Sequence, residues 1–361
     1  MKAAILKSFG TPLAIETVPD PVLGTGTGEV IVDVAASRVL AYADEVFSGK
    51  RPYLLELPVI PGTGGIGRVR AVGPDATRLA PGDWVFCDPT VRSRDDAVSP
   101  TIMLQGLTGG SEAGLKLHRH YHDGSFAEQM RVPTENLTRL GDIDPEQAPA
   151  WCGIGTLLVP YGGLLAADLK AGEIVVVNGA TGAFGSAGVA VALAMGARTV
   201  IATGRNGEVL KDLSKRFGER VRTVQMHGDE ETDRARILEA APGPIDCVLD
   251  LLPPAATVAQ VRTALLTVRP YGRVVLMGGV GMGGNGGLDL SYAWMMRNCV
   301  TVHGQWMFPR DAASRMIGLV RAGLIKLEEF TVTTFPLEKA NDAIVHAAAN
   351  AGPFKMTIVT P

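Results

Sequence analysis

Three glycines between an apolar run and a helix-like stretch carry the clearest chemical signal in the sequence. In "VVVNGATGAFGSAGVAVALA", residues 175–194, they are Gly179, Gly182 and Gly185. The first N–H groups of a helix lack intrahelical partners and bear the positive end of the helix dipole, so a pyrophosphate suits this position. The pattern is one form of GxGxxG and predicts dinucleotide contacts along the whole turn: Gly179, Thr181, Gly182, Ala183, Phe184 and Gly185. The alternative is a turn without a ligand, since glycines often only connect a strand to a helix.

The end of the next predicted strand indicates which dinucleotide binds. NAD-specific folds place an acidic residue about 20 residues further on, where it accepts hydrogen bonds from the ribose hydroxyls. In "VIATGRNGE" the corresponding residues are Thr203, Gly204, Arg205 and Asn206, so an arginine stands where the acid is expected. A guanidinium makes bidentate, charge-assisted bonds to a phosphate. We therefore predict NADPH as the cofactor; the alternative is a solvated arginine on a surface loop.

Two regions of the sequence differ in their hydrophobic pattern, and these patterns predict the strands and helices that position these residues. Up to about residue 150, short β-rich runs are broken by Gly and Pro, which is typical of a mainly antiparallel β domain. From about residue 172, nearly continuous apolar runs alternate with helical stretches, which is typical of a parallel sheet buried on both faces. The predicted fold class is α/β. We expect a β domain at residues 1–150, completed by residues 307–361, and a doubly wound domain at residues 151–306.

Composition limits the classes of partner. The chain has 361 residues, 46% hydrophobic and 20% charged, which is ordinary for a globular protein of two domains. A net charge of −3 and a pI near 6.1 provide no positive field for nucleic acid or acidic lipid. The first apolar run is too short for a signal peptide or a membrane span, and the four cysteines are scattered without a CxxC pair. We expect a cytoplasmic protein with buried free thiols and neither nucleic-acid nor membrane partners.

Several motifs, taken together and in order, resemble one large family. They are "GEVIVDVAAS", "PVIPGTGGIGRVRAVG", "PGDWVFC", "DGSFAEQMRVP", "NGATGAFG", "GRVVLMGG" and "LEKANDAIVHAA". Over nearly its full length the chain resembles the medium-chain dehydrogenase/reductase superfamily. The resemblance implies a GroES-like β domain beside a Rossmann domain, with the active site in the cleft between them. It also implies that Thr156, Gly278 and Gly279 lie near the cofactor, although Thr156 is equally consistent with a helix-interior threonine bonded to its own backbone.

The resemblance implies three positions for a catalytic zinc, and this chain lacks two of the ligands. The zinc branch places a cysteine after the "VAAS" strand, a histidine in "PGHE" and a cysteine ahead of the Rossmann domain. Here the corresponding residues are Leu40 or Ala41, Thr63 and Cys152. One thiolate cannot supply the three protein ligands that a catalytic zinc needs. The chain is therefore identified as similar to the zinc-free, quinone oxidoreductase-like branch, with Cys152 a buried thiol and no metal.

A zinc-free site suits a particular reaction. When hydride adds to the β-carbon of an enone or quinone, negative charge develops on a delocalised oxygen that hydrogen-bond donors can stabilise. We predict a zinc-independent NADPH-dependent enone, quinone or enoyl reductase with Tyr53, Thr63 and Tyr42 as candidate catalytic donors. For Tyr53 and Thr63 the alternatives are a surface residue and a support for a turn. Two other functions stay open: a zinc-free carbonyl reductase or alcohol dehydrogenase, and a non-catalytic NADPH-binding protein of crystallin-like or regulatory type.

The segment "LHRHYHD" contains a second metal candidate. His118, His120 and His122 alternate, so on a strand they would share one face and suit a metal. No carboxylate or cysteine with ligand spacing accompanies them, and we predict a solvated or packed loop instead. The surrounding segment, from Val91 to His122, departs most from the family pattern, and we assign it to the mouth of the substrate site.

The last predicted Rossmann strand bears on assembly. "RNCVTVHGQWM", residues 297–307, is too apolar for a sheet edge that is open to solvent. We expect a homodimer that joins two sheets at this edge, with Val300 and Val302 at or beside the joining strand. The family resemblance implies the same interface. The alternative is a monomer whose edge is covered by the glycine-rich loop and the helix after Pro309.

Overall fold

A computed structural model describes residues 1–24, 27–282, 284 and 286–361. The chain forms two compact units. The first comprises Met1–Gly155, Leu327–Ala351 and Lys355–Pro361, and the second comprises Thr156–Lys326 and Gly352–Phe354.

The strands and helices are numbered in chain order. The strands are β1 (Lys2–Ile5), β2 (Ala14–Thr17), β3 (Glu29–Val39), β4 (Gly65–Val72), β5 (Trp84–Cys87), β6 (Thr90–Arg92), β7 (Ile102–Leu104), β8 (Gln129–Pro133), β9 (Leu137–Arg139), β10 (Ile174–Asn178), β11 (Thr199–Gly204), β12 (Val221–Gln225), β13 (Ile245–Asp250), β14 (Val268–Leu276), β15 (Thr301–Gly304), β16 (Thr331–Pro336) and β17 (Lys355–Thr360). The helices are α1 (Ala43–Phe47), α2 (Glu112–His120), α3 (Ala148–Trp151), α4 (Gly153–Ala166), α5 (Ala183–Ala194), α6 (Gly207–Phe217), α7 (Glu230–Ala240), α8 (Val258–Leu265), α9 (Tyr292–Asn298), α10 (Ala312–Arg321) and α11 (Ala340–Ala349).

A seven-stranded sheet organises the first unit. Its order is β16-β17-β3-β4-β5-β9, and β8 pairs with β3. The pairings are antiparallel except for that of β16 with β17. Alternation along β3 places Val30, Val32 and Val34 on one face, where they pack with Val69 and Val85 in a buried cluster. The predicted mainly antiparallel β domain is therefore present.

A six-stranded parallel sheet organises the second unit. Its order is β12-β11-β10-β13-β14-β15, so the direction of winding reverses between β10 and β13. All of β10 is buried, as expected for a central strand covered on both faces. In doubly wound sheets a ligand binds at the carboxyl ends of the strands beside this reversal. The predicted α/β class is confirmed.

The domain boundaries differ from those expected from the sequence. Residues 307–326 belong to the second unit, although residues 307–361 were expected to complete the first. The reason is packing on α4: a Cβ added to Gly162 would lie 2.7 Å from Phe308 Cβ, and the charge of Arg315 acts on the pKa of Tyr161. The later strands β16 and β17 do join the sheet of the first unit.

The cysteines follow the expectation of buried thiols in three of four cases. Cys87, Cys152 and Cys247 are buried and free, whereas Cys299 is free and exposed. Cys299 follows α9 in a left-handed backbone conformation, which turns the chain out of the helix before β15. The expectation of a buried thiol was therefore wrong for Cys299.

One apolar stretch in the described part of the chain passes a simple test for a membrane span. Pro145–Ala166 is long and apolar enough, but 72% of its most apolar window is buried within the fold. Burial of this extent is typical of a core helix in a globular protein.

His118 and His120 lie in the last turn of α2, and His122 lies in the loop that follows it. Ser111 caps α2 by accepting a hydrogen bond from Gly114 N at 3.0 Å. The helical spacing turns His118 and His122 to one side, with ring centroids 5.0 Å apart, while His120 Nε2 lies 2.9 Å from Glu29 Oε1. The three rings therefore do not share one face, and the prediction of a loop was wrong for His118 and His120 but holds for His122.

His118 makes stability depend on pH. The side chain is fully buried, and among the residues that the structure describes neither ring nitrogen has a hydrogen-bond partner. Burial, assisted by the neighbouring His122, lowers the pKa of His118 to about 4, against the opposing charges of Glu56 and Asp123. In the unfolded chain the imidazole takes up a proton near pH 6.5. Between these two values only the unfolded state is protonated, so acid shifts the equilibrium towards unfolding.

We expect His118→Phe to remove this acid sensitivity. Between about pH 7 and about pH 4.5, the wild type should lose about 2 kcal/mol more unfolding free energy than the variant. Chemical denaturation at both pH values measures the difference. The same loss in both proteins would contradict the role assigned to the buried imidazole.

Candidate cofactor and active sites

The glycine turn brings the start of α5 against the end of β10. Gly179 has φ +88°, a left-handed conformation that favours glycine. A Cβ added to Gly185 would overlap the carbonyl oxygen of Gly179, so the helix packs on the turn only because this residue is glycine. Gly182 is the N-cap of α5 and supplies no side-chain acceptor. Ala183 and Phe184 form the first helical turn, and backbone groups dominate the surface offered to a ligand.

Neighbouring strand ends converge on this turn. Ala180 N donates to Thr203 O at 2.8 Å, and Gly204 approaches Thr181 so closely that a Cβ on Gly204 would overlap the threonine side chain. After β14, a Cβ on Gly278 would lie 2.6 Å from Leu252 O, and one on Gly279 would lie 2.7 Å from Pro254 Cγ. The predicted cofactor residues of β10, β11 and β14 therefore lie along one edge of the sheet.

A buried polar network ties three strands together at that edge. Thr203 Oγ1 donates to Asn178 Oδ1 at 2.8 Å, and Asn178 Nδ2 donates to Asp250 Oδ1 at 2.8 Å. Burial raises the pKa of Asp250 to about 6, and the bond from Asn178 opposes that rise. The Thr203 side chain is used inside this network and supports the edge, whereas direct contact with the cofactor was predicted. Sequence reasoning missed Asn178 and Asp250, although each is a polar residue that ends a buried apolar strand.

Arg205 and Asn206 follow β11 and have different roles. Asn206 Oδ1 accepts from Glu208 N at 3.1 Å and from Val209 N at 3.2 Å, so this side chain caps α6. The Oδ1 atom of Asn206 is therefore used by the helix cap, although the whole side chain was predicted to contact the cofactor. The Arg205 side chain is exposed, and Gln225 Nε2 donates a hydrogen bond to the backbone carbonyl oxygen of Arg205 at 3.0 Å. An exposed guanidinium thus stands at the end of β11, and such a group can form bidentate bonds to a phosphate.

Thr156 lies within α4 and is 2% exposed. Its Oγ1 atom is buried and has no hydrogen-bond partner within the described residues, so the alternative of a threonine bonded to its own backbone is wrong. A buried hydroxyl without a partner is costly unless a ligand or water satisfies it. This orphaned hydroxyl and the glycine-lined edge fit a nicotinamide dinucleotide.

The three positions of the family's zinc ligands belong to the first unit but do not offer a metal site. Thr63 lies in a turn held by Ser125 Oγ, which donates to Gly64 O at 2.5 Å and lies 2.6 Å from Ser37 Oγ. Cys152 Sγ donates to Ala36 O at 3.5 Å, and burial raises the pKa of this thiol to about 12.

The side chains at these positions cannot hold zinc. Leu40 and Ala41 are aliphatic and Thr63 carries a hydroxyl, so Cys152 is the single ordinary zinc ligand at the three positions. Across residues 1–24, 27–282, 284 and 286–361 no cluster of three or more His, Cys, Asp or Glu residues is arranged to hold a metal ion. The donor set does not fit a catalytic zinc.

The two candidate tyrosines face each other around an arginine. Tyr42 and Tyr53 have ring centroids 6.5 Å apart at an interplanar angle of 84°. Arg51 Cζ lies 4.2 Å from the centroid of the Tyr42 ring and 5.6 Å from that of Tyr53. Burial raises the pKa of Tyr42, against the nearby guanidinium charges of Arg51 and Arg38, so its phenol stays protonated at neutral pH. Sequence reasoning named both tyrosines and missed Arg51.

The segment from Val91 to His122 packs against the loop that carries Tyr53. Gly109 N donates to Leu54 O at 2.7 Å, and Arg119 Nε lies 2.8 Å from Glu56 Oε2. Its assignment to the substrate mouth stays a prediction. The candidate donors Tyr42, Tyr53 and Thr63 belong to the first unit, and the candidate cofactor residues belong to the second.

Comparison with known proteins identifies the family. The chain matches the alcohol dehydrogenase GroES-like domain over residues 26–142 and the zinc-binding dehydrogenase domain over residues 183–322. An alcohol dehydrogenase of Moraxella sp. (strain TAE123) is 30% identical over 355 residues, covering 95% of this chain and 94% of that protein. An acryloyl-coenzyme A reductase of Metallosphaera sedula is 31% identical over 208 residues, covering 55% of this chain and 58% of that protein.

A solved structure shows the same fold. A Sinorhizobium meliloti 1021 protein assigned to the zinc-binding dehydrogenases and bound to NADP has a TM-score of 0.77 at 20% identity, covering 100% of this chain and 99% of that one. Because the Moraxella relative aligns over nearly its whole length and both domain models match in order, this chain belongs to the medium-chain dehydrogenase/reductase superfamily of nicotinamide-dependent oxidoreductases.

Proposed function

We propose that this chain is a zinc-independent, NADPH-dependent reductase of an activated C=C bond or a quinone. The observation that carries the proposal is the donor set at the three zinc positions, where Leu40 or Ala41, Thr63 and Cys152 cannot together hold the metal. A carbonyl or alcohol oxygen therefore finds no Lewis acid there. A conjugated acceptor needs less help, because hydrogen bonds can stabilise the charge that spreads onto its oxygen.

The residues of the first unit supply those hydrogen bonds. When bound, the dihydronicotinamide supplies a hydride, which adds to the β-carbon of the acceptor. Tyr53 and Thr63 donate to the oxygen on which negative charge develops, and a tyrosine hydroxyl provides the proton that completes the reduction. The raised pKa of Tyr42 keeps its phenol protonated, so this side chain can act as a hydrogen-bond donor.

The named relatives support two chemistries. Acryloyl-coenzyme A is an α,β-unsaturated thioester, so the Metallosphaera relative supports reduction of a conjugated C=C bond. The Moraxella alcohol dehydrogenase, which is similar over more of the chain, supports the second candidate, a carbonyl reductase or alcohol dehydrogenase. The zinc positions favour the first candidate.

NADPH is the proposed cofactor because Gly204 and Arg205 occupy the place of an NAD-specific acid.

We also propose a cytoplasmic homodimer. Strand β15 ends the sheet of the second unit, and Tyr271, Tyr292 and Met296 beside it are 73%, 82% and 56% exposed. Apolar side chains of this size at an open sheet edge are typical of an interface.

The substrate class is tested by comparing acceptors. We expect the purified enzyme to oxidise NADPH with an enone or a quinone at a kcat/KM at least tenfold above that with a matched saturated aldehyde or for oxidation of a secondary alcohol. Elemental analysis should find no stoichiometric zinc, and a chelator should leave the rate unchanged. Faster turnover of the secondary alcohol, lost on chelation, would overturn the proposal.

The cofactor is tested at Arg205. Nicotinamide fluorescence titration should show tighter binding of NADPH than of NADH, and Arg205→Ala should weaken NADPH binding by about tenfold or more while leaving NADH unaffected. Arg198→Ala is the matched control, since Arg198 is exposed and precedes the same strand at its other end. Equal wild-type affinity for the two cofactors would refute the assignment.

The dimer is tested at the sheet edge. Thr301→Lys places a charge on exposed β15, so light scattering at micromolar concentration should show a shift from dimer to monomer. Thr331→Lys, on the exposed edge strand β16 of the other sheet, is the control and should stay dimeric. A wild-type monomer, or a Thr301→Lys protein that remains dimeric, would place the proposal in error.

A further inference from the structure

The carboxyl group of Asp250 is buried at the cofactor edge of the parallel sheet. We propose that Asp250 determines the affinity for the dinucleotide: the cofactor binds when this carboxyl group is protonated, so that binding takes up a proton from solvent. The inference rests on the proposed dinucleotide site. It applies to NADPH and NADH alike, because it does not involve the 2′-phosphate.

The backbone brings Asp250 next to the glycine turn. Asp250 is the last residue of β13 and pairs in register with Asn178, the last residue of β10. Leu251 N donates to Asn178 O at 3.0 Å, so the chain leaves β13 beside the turn that begins at Gly179. The Asp250 side chain is 3% exposed. A buried carboxyl group therefore lies next to the backbone that is predicted to hold the pyrophosphate.

The hydrogen bonds of Asn178 fix which oxygen of Asp250 takes up the proton. Asn178 Nδ2 donates to Asp250 Oδ1 at 2.8 Å and to Gln260 O at 3.3 Å. Because a backbone carbonyl can only accept, the Gln260 contact fixes the orientation of the amide. Asn178 Oδ1 then accepts from Thr203 Oγ1 at 2.8 Å. Asp250 Oδ1 thus faces a donor, and the added proton belongs on Oδ2.

The Oδ2 atom of Asp250 faces the residues that follow β14. A Cβ added to Gly278 would lie 2.7 Å from this oxygen and 2.6 Å from Leu252 O, so a side chain does not fit at position 278. Gly278 is itself partly exposed and is one of the residues predicted to contact the cofactor. The titrating oxygen therefore packs against a residue that reaches the accessible edge of the sheet.

The surroundings of Asp250 leave its charge unbalanced. Its neighbours in the network and around Oδ2 are uncharged: Asn178, Thr203, Leu252, Gln260 and Gly278. Burial raises its pKa to about 6, while Asn178 and the Leu252 backbone oppose the rise, and within the described residues no charged group contributes to the shift. At neutral pH an anionic carboxylate thus lies at the edge where an anionic pyrophosphate is expected.

The proton balance follows from the repulsion between these charges. A dinucleotide brings the two negative charges of its pyrophosphate to the edge, and like charges near a buried site are poorly screened. The complex therefore favours the neutral acid. One proton from solvent joins Asp250 Oδ2, and no covalent bond to the cofactor forms. Affinity then rises as the pH falls, because acid supplies the protonated form to which the dinucleotide binds.

Nicotinamide fluorescence titration with NADH at constant ionic strength tests this linkage. NADH is the probe because the 2′-phosphate of NADPH itself titrates near pH 6. The wild-type Kd should fall about fivefold between pH 8 and about pH 5.5, since a repulsion that raises the pKa of Asp250 by about one unit changes affinity by up to about tenfold. Asp250→Asn removes the charge and keeps an oxygen for Asn178. This variant should bind NADH about fivefold more tightly than wild type at pH 8, with no pH dependence.

Two variants are matched controls. Asp246→Asn removes a carboxylate from the other end of β13, where Arg269 Nε lies 2.7 Å from Asp246 Oδ1. His227→Gln removes an imidazole that follows β12, two residues beyond the end of that strand. Both variants should keep the pH dependence of the wild type. A merely structural role for Asp250 predicts weaker binding in Asp250→Asn, not the tighter binding expected here.

Proton uptake by the wild type tests the proposal even if Asp250→Asn fails to fold. Calorimetry of NADH binding at about pH 6.5, in two buffers that differ in ionisation enthalpy, counts the protons exchanged, and we expect an uptake of about half a proton per NADH. NADH binding without proton uptake, weaker binding in acid, or wild-type pH dependence in Asp250→Asn would overturn the role of Asp250 and leave the proposed function standing. A protein that binds neither NADH nor NADPH at any pH would overturn both.

Discussion

The contact between Gly185 and the carbonyl oxygen of Gly179 sets the geometry on which the cofactor edge depends. Because no side chain separates them, α5 starts directly above the end of β10 and presents its first turn to the carboxyl edge of the sheet. The adjacent strand ends are then joined by the network of Thr203, Asn178 and Asp250. A larger residue at position 185 would displace the helix and, with it, the surface available to a pyrophosphate.

In the proposed reaction, residues of the first unit stabilise the negative charge on the substrate oxygen without a metal. In the zinc branch of the family a divalent cation stabilises charge on the substrate oxygen, and its ligand positions are here Leu40 or Ala41, Thr63 and Cys152. Neutral hydroxyl donors are weaker than a cation, so they suit a reaction in which the charge is delocalised. The guanidinium of Arg51 lies beside Tyr42 and Tyr53 in the same unit.

The fold and the cofactor turn could be predicted from sequence because they depend on local patterns. Buried parallel strands are continuously apolar, and a glycine turn needs a fixed spacing. The network around Asp250 depends on which strands become neighbours, and no short segment of the sequence encodes that order. The role of Asn206 as a helix cap is local, and an asparagine directly before a helical stretch could have predicted it. His118 shows the same limit. Its alternation with His120 suggests a strand on which both side chains share a face, but Ser111 caps a helix in which the two side chains point to different sides.

The boundary at residue 307 illustrates a further limit. The helix α10 carries an amphipathic pattern that would suit either unit, and Phe308, shortly before it, packs against Gly162 of the second. Arg51 was missed for a related reason. An arginine in "SGKRPY" looks like a solvated charge until the chain folds it over two rings.

The most direct measurement of the central claim follows the hydride itself. Enzyme supplied with NADPH carrying deuterium at the transferable C4 position is allowed to reduce an enone, and NMR locates the label in the product. Reduction of the conjugated bond predicts deuterium on the β-carbon and a solvent-derived proton on the α-carbon. Deuterium on the carbinol carbon of an allylic alcohol would show direct carbonyl reduction and would contradict the account.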